Sequence, residues 1–203
     1  MNKNNNLLSQ LYKLKLFGYN YINKFDIVKN TNEILPNNMS ELDIRINNCN
    51  LCELSNNCKN KISYFKNISS KIIIIVPKVL TNNENEILKN ILGEYLGLNI
   101  ENVLILNIIK CNISNTKVNN NIFDICKDYT IKQIDIVKPK YILCFGEIYK
   151  YIVNNKLDIG EQIVYNNSKL FYFDDLSFLL RNPSNMNNIK NTFYKIKNEM
   201  EKN

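Results

Sequence analysis

Four short apolar runs recur between residues 71 and 173, and longer amphipathic segments separate them. The first run, Ile72–Val76, contains no polar residue, which is typical of a strand buried on both faces of a sheet. Strands that alternate with helices indicate an α/β fold, so we predict a three-layer αβα domain with a four-stranded parallel sheet. The predicted strands are Ile72–Val76, Val103–Ile109, Tyr141–Phe145 and Leu170–Phe173.

Helices are predicted where apolar residues recur at spacings of three and four. One of them, Ile122–Val137, ends before Pro139, because the residue that precedes a proline is disfavoured in the α conformation. Gly146 is expected to open a further helix after the third strand. The other two long helices are predicted at Glu84–Leu98 and Asn187–Lys202.

The N-terminal part of the chain has a different pattern. Leu7–Phe17 reads as a short amphipathic helix stopped by Gly18, and Thr31–Met39 is a polar connection. Ser40 is the predicted N-cap of a helix that runs to Asn47. We therefore expect a helical extension and linker over residues 1–39 and the α/β domain over residues 40–203.

The topology also predicts where a ligand binds. In parallel sheets ligands bind beyond the carboxyl ends of the strands. The positions just after Ile75, Ile109, Phe145 and Phe173 are therefore the expected site.

The amino-acid composition favours one class of partner and excludes several kinds of catalytic site. The net charge of +7 suits a polyanionic partner such as DNA, although a lysine-rich solvated surface would give the same value. The chain has no His, which excludes Ser-His-Asp and Cys-His nucleophiles. None of its five Gly falls in a nucleotide-binding pattern, so we expect no nucleotide cofactor. With no recognisable export signal and no apolar stretch near 18 residues, we expect a cytoplasmic protein that does not interact with membranes.

Cysteines supply the strongest candidate site. Cys49 and Cys52 form a C-x2-C pair, and Cys111 and Cys126 follow downstream. Four thiolates suit either Zn²⁺ or an iron–sulfur cluster, and the alternative is a chance pair with two ordinary buried thiols. Cys144 is expected in the core. Cys58 is expected as a free surface thiol, and the alternative is that it substitutes as a metal ligand.

Several of these segments resemble type-4 uracil-DNA glycosylases, in the same order along the chain. The cluster motifs of that family are similar to Cys49-Asn-Leu-Cys-Glu-Leu, to Asn107-Ile-Ile-Lys-Cys111 and to the segment that begins at Cys126. Leu179-Leu-Arg-Asn-Pro183 resembles the segment after the last catalytic motif of the family. The resemblance implies a uracil-DNA glycosylase-like fold and a structural [4Fe–4S] cluster held by Cys49, Cys52, Cys111 and Cys126.

The family flips uracil out of DNA and hydrolyses its glycosidic bond. By resemblance Asn107 would read the uracil edge. Arg181, Lys110 and Lys78 lie near the expected ligand edge, where they could contact phosphates. Leu179 and Leu180 resemble the wedge that such enzymes push into the base stack, and the alternative is that they begin a helix packed in the core.

The catalytic motifs differ from the family pattern. Pro77 stands where the family has the carboxylate that positions water, and Asp175 stands where it has the His of a His-Pro-Ser motif. The loop that would bring the aromatic residue that stacks on the base is interpreted as deleted, because the predicted helix Glu84–Leu98 begins too soon after Leu80.

Three functions therefore remain open. The first is a monomeric, DNA-binding iron–sulfur protein of DNA repair with weak or lost excision of uracil from double- or single-stranded DNA. The second is an active uracil-DNA glycosylase with a site rebuilt around Asp175. The third is a non-enzymatic structural protein with zinc or an iron–sulfur cluster.

Overall fold

A six-stranded sheet forms the centre of the computed structural model, which describes residues 35–58, 60–66, 68–112, 118–153 and 155–202. The side chains of β2, β3 and β4 are all buried, as their apolar sequences require. The strands are β1 (Phe65–Lys66), β2 (Ile72–Val76), β3 (Leu104–Asn107), β4 (Tyr141–Phe145), β5 (Gln162–Tyr165) and β6 (Ser168–Phe173).

The strand order is β1-β3-β2-β4-β6-β5. The four middle strands are parallel and include the predicted strand centres Ile74, Ile105, Leu143 and Tyr172, so the predicted four-stranded parallel sheet is confirmed. The antiparallel edge strands β1 and β5 were not predicted. A turn at Asn166 and Asn167, with φ of 45° and 67°, joins β5 to β6, which is a typical use of Asn in a hairpin.

Six α-helices surround the sheet in the described part of the chain. They are α1 (Met39–Asn47), α2 (Leu54–Asn57), α3 (Asn82–Ile91), α4 (Asn120–Val137), α5 (Leu176–Arg181) and α6 (Met186–Glu201). The predicted helix over Glu84–Leu98 is α-helical only to Ile91 and continues as a π-helical turn that Gly97 closes with a φ of 68°. Gly146 is followed by a 3-10 helix, Glu147–Tyr151.

The predicted start of α1 is wrong by two residues. Asn38, not Ser40, is the N-cap, and its side chain accepts a hydrogen bond of 2.8 Å from the backbone N–H of Glu41. Asn38 and Ser40 are both good caps, so the sequence pattern alone could not choose between them.

Side chains of β2 alternate between two cores. Ile72, Ile74 and Val76 pack in one core with residues of α3, α5 and α6. Ile73 and Ile75 pack in the other with residues of α4 and the 3-10 helix after β4. Helices therefore cover both faces of the sheet, and the three-layer prediction is confirmed.

The chain divides into the units Met1–Ile34 and Leu35–Asn203. The first unit, which includes the predicted helix Leu7–Phe17, lies outside the described residues. In the described part of the chain, no helix combines the length and the apolar character that a membrane crossing needs.

Burial in the sheet predicts a clear contrast between two substitutions. Ile74→Ala in β2 removes a fully buried side chain and should lower the free energy of unfolding by about 2–5 kcal/mol. Val164→Ala in edge strand β5, where the side chain is 67% exposed, should change it by less than about 0.5 kcal/mol. Urea denaturation of both variants measures this, and equal losses would contradict the assignment of β2 as a central strand.

Candidate active site and cysteine cluster

A cavity of about 170 Å³ opens at the carboxyl ends of the parallel strands. The chain moves from β2 outward to β3 and then returns to β4 on the other side of β2, so the cavity lies at the switch point of the sheet. This is the edge at which the sequence predicted a site. The cavity is lined by Val76, Pro77, Lys78, Leu80, Glu84, Phe145, Asp175, Leu176 and Ser177.

Asn107 is the last residue of β3 and pairs with Val76 of β2. Side chains of paired residues on parallel strands point to the same face, so the Asn107 amide lies on the face that holds the cavity. Asn107 is only 1% exposed, yet among the described residues neither its Nδ2 nor its Oδ1 has a hydrogen-bond partner. Buried polar groups are nearly always paired, so this amide is chemically suited to a ligand that supplies the missing partners.

The Lys110 side chain is buried against the backbone of Asn107 and is not available to DNA. The side chain is 2% exposed, and Nζ donates to the carbonyl oxygen of Asn107 at 2.5 Å and to Oε1 of Gln133 at 2.6 Å. Burial lowers the pKa of Lys110 to about 7. The expectation that Lys110 contacts phosphate is therefore wrong, because its donors are used inside the protein.

Asp175 borders the cavity and also caps α5. Its Oδ1 accepts hydrogen bonds from the N–H of Ser177 at 2.8 Å and from the Ser177 hydroxyl at 2.5 Å. Its Oδ2 approaches Gly146, where an added Cβ would lie 3.2 Å from that oxygen. Gly146 has a φ of 86°, so both the backbone and the closeness of Asp175 require glycine there.

Glu84 is a second carboxylate at the cavity. Sequence reasoning placed it in the first turn of a helix, which is confirmed, because its Oε2 accepts from the N–H and the hydroxyl of Thr81 at 2.8 Å each. This capping box also turns the carboxylate toward the cavity and leaves it 9% exposed. The Thr-x-x-Glu pattern predicts such a cap, but the pattern alone does not predict that the carboxylate also borders a cavity.

Pro77 lines the cavity directly after β2. Its carbonyl oxygen accepts a hydrogen bond of 3.1 Å from the N–H of Ile109, which holds the ends of β2 and β3 together. Proline has neither a titratable side chain nor an N–H, so this position offers no group that binds water as a donor or base.

Helix α5 turns one of the two candidate wedge residues inward. Leu179 is fully buried in the core, so its predicted role in the base stack is wrong. Leu180 and Arg181 are exposed, as the predicted contacts with DNA require. Phe178 is exposed as well and was not predicted as a contact.

Cysteines from three segments gather on the other side of Asn107. Cys111 and Cys126 are buried with Leu54, and Cys52 and Cys58 pack against them. The side chain of Cys49 packs in the neighbouring cluster, with Tyr129 and residues of α1.

The pKa values of these thiols reflect their surroundings. The pKa of Cys126 is raised to about 11, mainly by burial; nearby Cys52 and Cys49 act in the same direction, and the backbone N–H of Lys110 acts against it. Burial also raises the pKa of Cys111, as does its hydrogen bond to Cys58. Within the described residues, however, no three Cys, His, Asp or Glu side chains are arranged to hold a metal ion. The metal site therefore stays a prediction.

The structure agrees with the prediction for Cys144 and differs from the prediction for Cys58. Cys144 is fully buried in β4, as predicted. Cys58 is not a free surface thiol, because it is partly buried beside Cys111 and donates a hydrogen bond of 2.8 Å to the Asn60 carbonyl. Its proximity to Cys111 results from the pairing of residues 60–62 with residues 110–112, which short-range patterns do not reveal.

A larger cavity, of about 680 Å³, lies at the opposite edge of the sheet. Neither Glu84 nor Asp175 lines it, and both line the smaller cavity, so we place the candidate active site in the smaller one. The larger cavity is lined by Lys71, Ile134, Asp135, Lys138, Pro139, Lys140, Asn166, Asn167 and Ser168.

Comparison with known proteins agrees with this geometry. The sequence model of the family described as the uracil DNA glycosylase superfamily matches residues 64–200. The match includes Asn107, Cys111, Cys126 and Asp175, and it begins after Cys49 and Cys52. No curated protein matches the chain. Because the family model covers more than half of the sequence, the chain belongs to the uracil DNA glycosylase superfamily.

Proposed function

We propose that this protein is a DNA-binding uracil-DNA glycosylase homologue of DNA repair that retains base recognition and excises uracil slowly or not at all. The observation that carries the proposal is the contrast between Asn107 and Pro77 at the carboxyl ends of the neighbouring strands β3 and β2. The buried, unpaired amide of Asn107 is present on the face of the sheet that holds the cavity, whereas Pro77 occupies the position of the carboxylate that positions water.

Hydrolysis of a glycosidic bond needs a positioned water and electrostatic stabilisation of the positive charge that develops on the sugar. Pro77 supplies neither. Asp175 offers a negative charge, but one of its oxygens is engaged in capping α5. The chain has no His to replace the family's second catalytic group.

DNA binding is supported by charge and by the exposed side of α5. The chain carries a net charge of +7, which favours a polyanion. Asp175, Leu176 and Ser177 line the cavity, and Leu180 and Arg181 follow on the next turn, where both are exposed. A DNA strand that enters the cavity would therefore meet an apolar side chain and a guanidinium beside it.

The cysteines support a [4Fe–4S] cluster as the second part of the proposal, with zinc as the alternative. Cys111 follows β3, Cys126 lies on α4, and Cys49 and Cys52 lie between α1 and α2. The donor chemistry fits, since four thiolates are the usual ligands of such a cluster. When bound, the cluster would supply a structural crosslink between these segments. The packing of Leu54 with Cys52, Cys111 and Cys126, and of Tyr129 with Cys49, supports this part of the proposal.

Glu84 favours a second candidate function. Two carboxylates, Glu84 and Asp175, line one cavity, and a carboxylate pair is the machinery with which many glycosidases hydrolyse a glycosidic bond. A glycosylase with a rebuilt site would use this pair instead of the family motifs.

The excision assay separates the two candidates. Single-turnover measurements on uracil-containing single- and double-stranded oligonucleotides should show excision at least about a thousandfold slower than by an intact family member, since one acid–base group contributes roughly 10²–10⁴-fold. Robust excision that disappears in Asp175→Asn or Glu84→Gln would contradict the proposal and establish the rebuilt site.

Substitution of Arg181 tests the proposed DNA-binding surface of the protein. Arg181→Ala should weaken binding to DNA and reduce the slope of log affinity against log salt concentration by about 0.9 for a duplex, because one phosphate contact is lost. Lys197→Ala is the control, since this residue lies beside Gly97, which precedes the amino end of β3. Fluorescence anisotropy at several salt concentrations measures both. Equal effects of the two substitutions, or no binding at low salt, would reject the proposed surface.

The cluster is tested by a matched pair of buried cysteines. Anaerobically purified protein should contain iron and sulfide and show the visible absorbance of an iron–sulfur cluster. Cys126→Ala should lose the iron and the absorbance and should lower Tm, because the cluster links separate segments. Cys144→Ala should keep the absorbance, since Cys144 lies apart in the core of β4. Purified protein that contains zinc and no iron would support a zinc site instead.

A further inference from the structure

The backbone carbonyl of Asn107 is held by side chains instead of by a neighbouring strand. β1 pairs with β3 only at Leu104 and Ile105, so this edge of the sheet offers Asn107 no strand partner. The oxygen instead accepts from Lys110 Nζ at 2.5 Å and from Thr130 Oγ1 at 3.2 Å. Thr130 belongs to α4, so the end of β3 is fixed by a helix from the opposite face of the sheet.

An interruption in strand pairing makes room for these donors. Phe65 pairs with Ile105, and pairing resumes only where Lys61 forms a bridge with Cys111. Five residues on the β3 side, 106–110, therefore lie opposite three on the other side, 62–64. Such bulges commonly stand next to active sites, where they re-aim a side chain.

Gln133 fills the interruption from α4. Its Oε1 accepts from Lys110 Nζ at 2.6 Å, and its Nε2 donates to the carbonyl oxygen and the hydroxyl of Ser63 at 2.9 Å and 3.1 Å. Thr130 and Gln133 are fully buried. A buried polar network whose members are paired favours one arrangement, because each alternative leaves a polar group unsatisfied.

The amide of Asn107 contrasts with this network. It has no partner among the described residues, so no hydrogen bond of its own sets its orientation. The orientation of the Asn107 amide therefore depends on the position of the Asn107 backbone.

We propose that Thr130 and Lys110 are positioning residues that hold the Asn107 backbone and thereby aim its amide at the edge of a base in the cavity. This rests on the proposed function, in which Asn107 reads that base. Neither residue touches the base. Both act by donating hydrogen bonds to the carbonyl oxygen of Asn107. Gln133 accepts a hydrogen bond from Lys110 Nζ and thereby orients Lys110 toward that oxygen.

Thr130 provides a clean test, because Thr130→Val removes the hydroxyl at nearly constant shape and Thr130→Ser keeps the hydroxyl. The readout is the ratio of affinities for a uracil-containing single-stranded oligonucleotide and the same oligonucleotide with thymine. Thr130→Val should reduce this ratio about three- to tenfold, as expected for the loss of one hydrogen bond, and Thr130→Ser should restore it. Affinity for the thymine oligonucleotide should not change in either variant.

Asn107→Ala is the reference variant and should abolish the preference for uracil. If it does so while Thr130→Val keeps the wild-type ratio, the positioning role is wrong. If the wild-type protein shows no preference for uracil, the base-reading part of the proposed function fails instead.

Crystal structures of Thr130→Val and Thr130→Ser decide the positioning role independently of affinity. The Asn107 amide should be rotated or should occupy several orientations in Thr130→Val, and it should keep a single orientation in Thr130→Ser. An unchanged amide in Thr130→Val would overturn the proposal. Thr130→Ala removes the same hydroxyl without placing a methyl group against the carbonyl, and it replaces Thr130→Val in both measurements if that variant does not fold.

Discussion

The buried amino group of Lys110 makes the contacts on which the arrangement of this site depends. A polar group removed from water is costly unless other groups satisfy it, and among the described residues two neutral oxygens accept hydrogen bonds from Nζ here. Those oxygens belong to the end of β3 and to α4, while the Lys110 carbonyl accepts a 2.7 Å hydrogen bond from Ile62. Three segments are therefore fixed relative to one another by one side chain and its backbone.

The strand ends around the cavity differ in what they offer a ligand. At the end of β3, the buried amide of Asn107 is unpaired among the described residues, and its backbone carbonyl is held by a polar network. After β6, one carboxylate oxygen of Asp175 caps α5, and Pro77 at the end of β2 offers no polar side chain. In the proposed function, recognition and chemistry would depend on residues of different strands, so one could be lost without the other.

Much of the fold could be predicted because buried parallel strands leave a direct mark on sequence, as in Ile72–Val76. Lys110 shows where this reasoning fails. Its neighbours Ile108, Ile109 and Cys111 are all buried, yet a lysine in a loop is ordinarily assigned to solvent, and its partner Gln133 lies 23 residues away. Leu179 and Leu180 show the same limit on a smaller scale, since only the packing of α5 decides which of two adjacent leucines is buried. Long-range contacts that set burial are invisible to local periodicity.

The edges of the sheet have a consequence for the behaviour of the chain in solution. An exposed edge strand is a template on which another chain can add a strand and begin to aggregate. Here one edge is the two-residue strand β1, and the other is β5, which runs for four residues and ends in the tight Asn166–Asn167 turn. Strands this short present few free main-chain groups. The fully buried apolar strands β2 and β4, which would be the most aggregation-prone templates, lie in the interior of the sheet with both of their edges paired.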